Sequence, residues 1–291
     1  METAELLKKV RKIEIRTKGL VHQIFSGEYN SVFKGRGMAF SEVREYQFGD
    51  DIRLVDWNVS ARFNHPYVKV FEEERELTLM LLVDVSGSGE FGTVLQMKKD
   101  LAVELCAVLA FSAIQNNDKV GVIFFSDVVE KFIAPKKGRT HILRIVRELL
   151  GFQPSRRGTN IGEGLRYLTR AIKKRSIAFL ISDFLDHGYD AALKIAARKH
   201  DLIAVHLSDP REKELSPGGL LRVADSESGG VTWVDTTDSG VRDGYLRWWK
   251  ERGETRDRLF RHSGVDAIEI RTDGSYIQPL TSFFRRREKR W

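Results

Sequence analysis

One aspartate and two serines with alternate spacing follow a strongly apolar stretch of this 291-residue chain. Asp84, Ser86 and Ser88 form the pattern DxSxS directly after residues 77–83, which are almost entirely hydrophobic. All three side chains offer oxygen, the ligand atom that hard cations such as Mg²⁺ and Mn²⁺ prefer. Because three oxygens are too few for an octahedral ion, a metal bound here needs further ligands from other loops.

The glycines of the same stretch suggest a nucleotide site, but their context does not fit one. Gly87, Gly89 and Gly92 spell GxGxxG, yet residues 84–86 separate the predicted strand from the first glycine. The helix expected over residues 94–115 is too long for a compact βαβ unit of about 30 residues. The spacing from Gly87 to Gly92 also matches a phosphate-binding P-loop, but Thr93 stands where its lysine is required.

Two further interpretations of the DxSxS stretch stay open at this point. Ser86 and Ser88 can simply cap the following helix, with Asp84 accepting hydrogen bonds from nearby backbone N–H groups. Alternatively, Asp84 is the nucleophile of a Mg²⁺-dependent hydrolase or phosphotransferase, although position 86 is serine where such an enzyme is expected to carry a general acid. A serine hydrolase is disfavoured because neither serine lies in GxSxG.

Apolar runs alternate with helical patterns along the rest of the chain, which predicts an α/β fold. We expect a doubly wound, mainly parallel sheet flanked by helices on both faces. The predicted strands are residues 77–83, 120–125, 128–133, 177–181, 202–207, 220–223, 231–234 and 267–270, with hairpins at 120–133 and 220–234. The predicted helices are residues 94–115, 141–150, 161–172, 191–200 and 241–262.

This topology supplies the additional ligands that a metal would need. Crossovers in parallel sheets are nearly always right-handed, so successive strands end at the same edge of the sheet. Thr159 opens a predicted helix there, and Asp183 ends a predicted strand, as Asp84 does. The sequence therefore predicts a metal site built from Asp84, Ser86, Ser88, Thr159 and Asp183.

Composition narrows the class of protein. The single cysteine, Cys106, lies in an apolar helix and excludes a disulfide framework. Neither a signal peptide nor an apolar run of about 20 residues is present, which favours a cytoplasmic protein without a membrane span. The net charge of +7 includes a basic tail, residues 285–290, expected to be a solvated and frayed terminus. Without a recognisable binding module, nucleic acid is an unlikely partner.

The first 75 residues are expected to form an N-terminal extension of a helix and short strands, followed by the sheet domain in residues 76–291. The helix is predicted around Leu6, Leu7, Val10 and Ile13, and a basic glycine-rich turn around residues 25–37. Asp50, Asp51 and Asp56 could ligate a metal, but without a geometric partner they are interpreted as salt-bridge partners of Arg44, Arg53 and Arg62. Because Trp57, Phe63 and Tyr67 need burial, we expect the extension to pack on the sheet.

These motifs together resemble a known family. Residues 84–88 (DVSGS), Thr159 in GTN and Asp183 in ISDF resemble the metal-ion-dependent adhesion site of the von Willebrand factor A (vWA) fold. The motifs KGRG (34–37), EVREY (42–46), GDDIR (49–53), DW (56–57) and SAR (60–62) resemble the bacterial family called domain of unknown function 58. One departure is Gly89, where a larger residue, often Met, is expected.

The resemblance implies a function as well as a fold. It implies Mg²⁺, with Mn²⁺ as a substitute, held by the predicted ligands partly through water, with one position open for an Asp or Glu of a protein partner. Such sites bind and do not turn over substrate, so the resemblance implies a non-enzymatic adaptor. It also implies a AAA+ ATPase of the MoxR type as a partner.

Overall fold

The computed structural model describes residues 11, 13, 39–72, 77–93 and 96–289. The chain divides into a small unit, residues 33–77, and a large unit that contains the main sheet. The predicted N-terminal helix, apart from residues 11 and 13, and the basic glycine-rich turn lie outside the described residues. The domain boundary after residue 75 and the packing of the extension on the sheet stay predictions.

The small unit is built on an antiparallel strand pair. Strands β1 (Ala39–Glu45) and β2 (Tyr67–Glu72) pair, and the short helix α1 (Trp57–Phe63) lies between them in sequence. Arg44 pairs with Asp50 as predicted, at 2.7 Å. The prediction for Asp56 is wrong in its partner, because Asp56 caps α1 and pairs with Lys69 at 3.4 Å.

Two of the three aromatic side chains expected to be buried in this unit are exposed. Trp57 is 70% exposed and Phe63 is 61% exposed, whereas Tyr67 is half-buried. Phe63 and Tyr67 instead contact each other, with ring centroids 5.5 Å apart. The prediction of burial was based only on the large apolar area of these side chains. Single exposed aromatic side chains are common on protein surfaces, so that area does not by itself require burial.

The large unit is organised around a six-stranded sheet. Its strands are β3 (Thr78–Asp84), β4 (Lys119–Phe125), β5 (Val129–Lys136), β6 (Ile177–Ser182), β7 (Asp201–Ser208) and β10 (Asp266–Arg271), in the spatial order β10-β7-β6-β3-β4-β5. Only the edge strand β5 is antiparallel; its hairpin with β4 was predicted. The strand order reverses between β3 and β6, and open α/β sheets bind ligands in the crevice at that point.

Helices cover both faces of this sheet, which confirms the predicted fold class. They are α2 (Lys98–Gln115), α3 (Arg139–Gly151), α4 (Ile161–Ala171), α5 (Asp190–Lys199), α6 (Ser239–Ser263) and α7 (Ile277–Glu288). Residues of β3 alternate between the two faces; Met80 and Leu82 join a core with Leu165 of α4 and Leu193 of α5. Helix α2 is buried around most of its surface, including Cys106, whose predicted role in packing is confirmed.

Strands β8 (Leu220–Ala224) and β9 (Val231–Asp235) form the second predicted hairpin, as a separate two-stranded sheet. The turn between them spans residues 225–230 and is called the hairpin tip below. All of β8 and most of β9 are exposed to solvent. Two-stranded ribbons are marginally stable by themselves, so this hairpin depends on whatever contacts its ends make.

The basic C-terminal segment is not the frayed terminus that the sequence predicted. Residues 277–288 form α7, which packs Leu280 and Phe284 completely out of solvent. Arg287 is buried and forms ion pairs with Asp201 and Asp266. The basic residues 285–290 led to the prediction of a solvated terminus, although the apolar residues Leu280 and Phe284 precede them. Across the described ranges, every helix is too short or too polar to cross a membrane.

Candidate metal site at the carboxyl edge of the sheet

The two central strands end in side chains that contact each other. Asp84 ends β3, and its carboxylate accepts a 2.6 Å hydrogen bond from the hydroxyl of Ser182, the last residue of β6. Its other oxygen accepts a 3.0 Å hydrogen bond from the backbone N–H of Ser86. Asp84 is therefore fixed at the point where the strand order reverses, with both oxygens engaged.

The DxSxS loop brings its two serine hydroxyls together. Ser86 Oγ and Ser88 Oγ lie 3.0 Å apart, and the Ser86 side chain is buried. The backbone N–H of Gly87 donates to the carbonyl of Arg157 at 2.8 Å, which joins this loop to the segment that carries Thr159. The hydroxyls do not cap the short 3-10 turn that follows, so the interpretation of Ser86 as a helix cap is wrong.

Asp183 follows β6 directly and contacts a buried lysine. Lys98, the first residue of α2, donates a 2.8 Å hydrogen bond to Asp183 Oδ2 and also forms an ion pair with Glu212. The Lys98 side chain is only 2% exposed. Burial by itself lowers the pKa of Lys98, but the attraction of Asp183 and Glu212 outweighs it, and the pKa is raised. Lys98 therefore stays charged inside the protein.

Thr159 contacts the hairpin tip. Its hydroxyl donates a 2.6 Å hydrogen bond to Glu227 Oε1, across 68 residues of sequence. The neighbouring Asn160 caps α4 by accepting from the backbone N–H of Glu163, which fixes the start of that helix and hence the position of Thr159. A carboxylate that no part of the sequence analysis anticipated is thus placed at the predicted site.

The backbone after Asp183 adopts an unusual conformation. Phe184 has a φ of +56°, in the left-handed region that bulky residues rarely adopt. Its N–H donates to Ser182 Oγ at 3.0 Å, and its ring packs edge-on against Phe260 with centroids 5.1 Å apart. Burial of the Phe184 ring offsets the backbone strain, and strain of this kind concentrates at functional sites.

The negative charges of the site are not fully balanced. Burial and the charge of Asp183 raise the pKa of Asp84 to about 7, against the effect of the hydrogen bonds from Ser182 and Ser86. Burial also raises the pKa of Glu227, against its hydrogen bond from Thr159 and with the repulsion of Asp183. Within the described part of the chain, Lys98 pairs with Asp183 and Glu212, whereas the hydrogen bonds to Asp84 and Glu227 come from uncharged hydroxyl and N–H groups.

A small cavity of about 20 Å³ lies beside three of the predicted ligands. Asp84, Ser88 and Asp183 line it, together with Ser182, Lys98 and Lys99, whereas Ser86 and Thr159 do not. A cavity needs roughly 10–15 Å³ to hold one water molecule, so this one has room for a single water or ion. The oxygen donors and the volume fit a hard divalent cation; the buried Lys98 ammonium opposes one.

A site of this type differs from the clusters of acidic, histidine and cysteine side chains that bind many metals. Within the described ranges, no group of three or more such side chains is arranged to hold an ion. Three of the five predicted ligands are hydroxyls. The absence of a cluster of acidic, histidine and cysteine side chains therefore does not test the predicted site. The five predicted ligands and the metal stay predictions.

Three of the predicted ligands have hydrogen-bond partners that the sequence did not reveal. Ser182 bonds Asp84, Lys98 bonds Asp183 and Glu227 bonds Thr159. Ser182 could have been noticed, because it stands beside Asp183 at the end of a predicted strand. Lys98 and Glu227 carry no local signal, since one is a helix residue and the other a hairpin turn residue.

Comparison with known proteins identifies a family. The family model described as "Protein of unknown function DUF58" matches residues 42–255, more than half of the chain. An uncharacterized protein of Mycobacterium tuberculosis, Rv1480, is 28% identical over 99% of this chain and 92% of its own length. The uncharacterized protein YeaD of Bacillus subtilis is 32% identical over 38% of this chain and 25% of its own length.

Solved structures give more distant likenesses. BatB from Bacteroides thetaiotaomicron is 19% identical, covers 73% of this chain and 99% of its own, and has a TM-score of 0.48. The SpRpn10 VWA domain is 12% identical, covers 71% of this chain and 94% of its own, and has a TM-score of 0.40. Likeness at this level does not carry the function of either protein over to this chain.

Proposed function

The chain belongs to the family described as protein of unknown function DUF58, and from that premise and the site geometry we propose that it is a non-enzymatic protein-binding module that depends on a divalent cation. The ion is Mg²⁺, with Mn²⁺ as a substitute. Its ligands are the side chains of Asp84, Ser86, Ser88, Thr159 and Asp183, some of them through water.

The observation that carries this proposal is the meeting of oxygen donors at the sheet's reversal point. Asp84 from β3 and Asp183 after β6 line one cavity, together with Ser88. Asp84 is the last residue of β3 and Asp183 directly follows β6, and the two strands pair in the sheet, so backbone pairing fixes the strand ends that carry both carboxylates. A rigid, pre-formed set of oxygen donors lowers the cost of binding an ion.

The ion would supply a Lewis acid that accepts one carboxylate oxygen of a partner in place of a water molecule. The chain's own residues do the rest. Ser182 orients Asp84, and Lys98 compensates part of the charge of Asp183. Recognition by such a site requires both the ion and an acidic side chain, which gives the interaction its selectivity.

A groove of about 300 Å³ lies beside the DxSxS loop. Its lining includes Ser86, Gly87 and the apolar side chains of Val103, Leu149 and Phe152. The charged groups of the lining are the cations Lys99 and Arg157 and the carboxylates of Asp84 and Glu90. Once the ion offsets the charge of Asp84, the cations outnumber the remaining carboxylate, which favours a partner segment in which an acidic residue is flanked by hydrophobic ones.

The residue two positions after Asp84 favours binding over catalysis. The general acid that a phosphoaspartyl enzyme is expected to carry there is replaced by Ser86. The hydrogen bonds from Ser182 and Ser86 orient Asp84 and leave lone pairs on both oxygens. The missing acid counts against the Mg²⁺-dependent hydrolase or phosphotransferase and supports a module that binds without turnover.

Calorimetric titration of Mg²⁺ and Mn²⁺ into metal-stripped protein tests the site. We expect binding by the parent protein and its loss in Asp84→Ala and in Thr159→Ala, because the two residues come from separate loops. Asp100→Ala is the matched control, since Asp100 is an exposed carboxylate in the first turn of α2. A parent that binds neither ion, or variants that bind as well as the parent, would refute the proposed site.

The partner is tested separately. The family resemblance suggests a MoxR-type AAA+ ATPase, so purified ATPase of that type should bind the immobilised parent in Mg²⁺ and dissociate when a chelator is added. Asp84→Ala should not bind it under either condition. Binding that persists in chelator would show that recognition does not use the ion.

A further inference from the structure

The hairpin tip contacts the candidate site at two points. Glu227 accepts the hydrogen bond from Thr159, and the backbone carbonyl of Ser226 lies so close to Gly87 that a side chain there would collide with it. Gly87 stands between the two serines of the DxSxS motif. The tip therefore lies directly against the loop that carries the predicted ligands Ser86 and Ser88.

Glu227 differs from the rest of the tip in its environment. Asp225, Ser226, Ser228 and Gly229 are exposed, whereas Glu227 is partly buried. Asp225 organises the turn by accepting hydrogen bonds from the backbone N–H groups of Glu227 and Ser228. The turn is thus shaped so that one carboxylate reaches the predicted ligand Thr159 while its neighbours face solvent.

The position is electrostatically unfavourable for a carboxylate in the absence of a cation. Glu227 experiences the negative charges of Asp183, Asp225 and Asp186. Among the described residues, the side chain that donates a hydrogen bond to it is the neutral hydroxyl of Thr159. A carboxylate held against other carboxylates gains most if a positive ion lies between them.

We propose that Glu227 takes the position on the ion that the acidic residue of a partner would take. This proposal rests on the proposed function. The β8–β9 hairpin then closes the site, and a partner binds only by displacing it. The hairpin is an intramolecular competitor for the ion, which makes the module self-inhibited until a suitable partner is present.

The attachment of the hairpin suits a part that moves. Its base is held by Thr236, which is fully buried and bonds both Gly218 and Gly219. The strands themselves bury little, since Leu220 is 63% exposed and Trp233 is 61% exposed. Displacing the tip therefore breaks few apolar contacts, and segments with few buried contacts open at low cost.

A tethered carboxylate competes strongly with free ones. Short tethers give effective concentrations in the millimolar range or higher, so a simple free carboxylate must exceed that level to displace Glu227. A partner that also contacts the exposed apolar side chains of the hairpin gains additional binding energy. Removal of Glu227 should therefore make the bound ion accessible to small carboxylates that the parent protein excludes.

The test uses full-length protein saturated with Mn²⁺ and acetate as the probe. Acetate replaces water on the ion, and the water-proton relaxation rate reports that replacement. We expect the apparent affinity for acetate to rise about tenfold in Glu227→Ala and in Glu227→Gln, since both remove the competing charge. Glu214→Ala is the control, because Glu214 is an exposed glutamate in the segment before the hairpin.

A second readout follows the hairpin itself. Hydrogen exchange of residues 225–231 in the Mn²⁺-loaded protein should accelerate in Glu227→Ala and remain unchanged in Glu214→Ala. If the parent binds Mn²⁺ but Glu227→Ala matches it in acetate affinity and exchange, the inference is wrong and the proposed function stands. If the parent binds no metal, both are wrong.

Discussion

The hydroxyl of Ser182 donates a hydrogen bond of 2.6 Å to the carboxylate of Asp84, joining the ends of the two central strands across 98 residues of sequence. The same hydroxyl accepts the N–H of Phe184, which has a left-handed backbone conformation. One buried serine thus connects a predicted metal ligand with the strained turn that carries another, Asp183. Ser182 orients both halves of the site.

We expect Ser182→Ala to weaken both the fold and the site. Removing the hydroxyl leaves Asp84 Oδ2 and the Phe184 N–H without this partner, which should lower the free energy of unfolding by about 1–3 kcal/mol. Metal affinity should fall about tenfold, because Asp84 loses its orientation. Urea unfolding and calorimetric titration measure the two effects.

Ser112→Ala provides the comparison. Ser112 is equally buried, but its hydroxyl has no hydrogen-bond partner among the described residues. Its removal should change neither the stability by more than about 0.5 kcal/mol nor the metal affinity. If the two serine variants behave alike, Ser182 does not orient the site.

Lys98→Met should be strongly destabilising in the absence of metal. The substitution keeps the length of the side chain but leaves Asp183 and Glu212 buried without their cation, which should lower the free energy of unfolding by about 3–5 kcal/mol. Because a divalent ion can compensate the same carboxylates, saturating Mg²⁺ should restore about 2–3 kcal/mol.

Urea unfolding with and without Mg²⁺ measures this coupling. Lys99→Met is the control: Lys99 follows directly in sequence, its side chain is exposed, and its ammonium donates a 3.3 Å hydrogen bond to the Phe152 carbonyl. It should stay within about 0.5 kcal/mol of the parent. If Mg²⁺ does not stabilise the Lys98→Met protein, the ion does not compensate the charge of Asp183 in place of the Lys98 ammonium.

Gly87→Ala should loosen the hairpin tip without touching Glu227. The new methyl group would overlap the Ser226 carbonyl, so the tip must move away. We expect hydrogen exchange of residues 225–231 to rise about tenfold, in the direction expected for Glu227→Ala. Gly89→Ala is the matched control in the same loop, since its methyl group would meet nothing closer than Lys99 Cβ at 3.8 Å. Equal exchange in the two variants would show that the tip does not depend on its contact with Gly87.

Acid should destabilise the protein through His200. The ring is buried, Nδ1 lies 2.9 Å from the Ser176 hydroxyl, and Nε2 has no hydrogen-bond partner among the described residues. Burial, assisted by Lys199 and Arg175, lowers the pKa of His200 to about 4. The unfolded chain therefore binds this proton first, so the stability is complete above about pH 6.5 and declines as the pH falls towards 4.

The loss attributable to His200 is about 2 kcal/mol after allowance for solvent screening. Urea unfolding at pH 7 and at pH 4.5 measures it in the parent and in His200→Asn, which should show a smaller decline. His187→Gln, in which a 97% exposed ring is replaced, should retain the parent's decline. An unchanged decline in His200→Asn would assign the acid sensitivity to other groups.

The order of strands and helices could be read from the sequence because it depends on local patterns. Buried strands such as residues 177–181 are continuous apolar runs, and α4 repeats its apolar residues at helical spacing. The handedness of crossovers then places Asp84 and Asp183 at one edge of the sheet without knowledge of any contact. The C-terminal helix α7 was missed because its charges masked Leu280 and Phe284.

The tertiary structure alone decided which side chains meet at that edge. Lys98 reaches Asp183 across 85 residues, and Glu227 reaches Thr159 across 68. Such contacts depend on how α2 and the β8–β9 hairpin are placed relative to the strand ends, and no periodic pattern encodes that placement. The sequence determined where oxygen donors gather; the packing of distant segments decided that a lysine and a glutamate of the same chain join them.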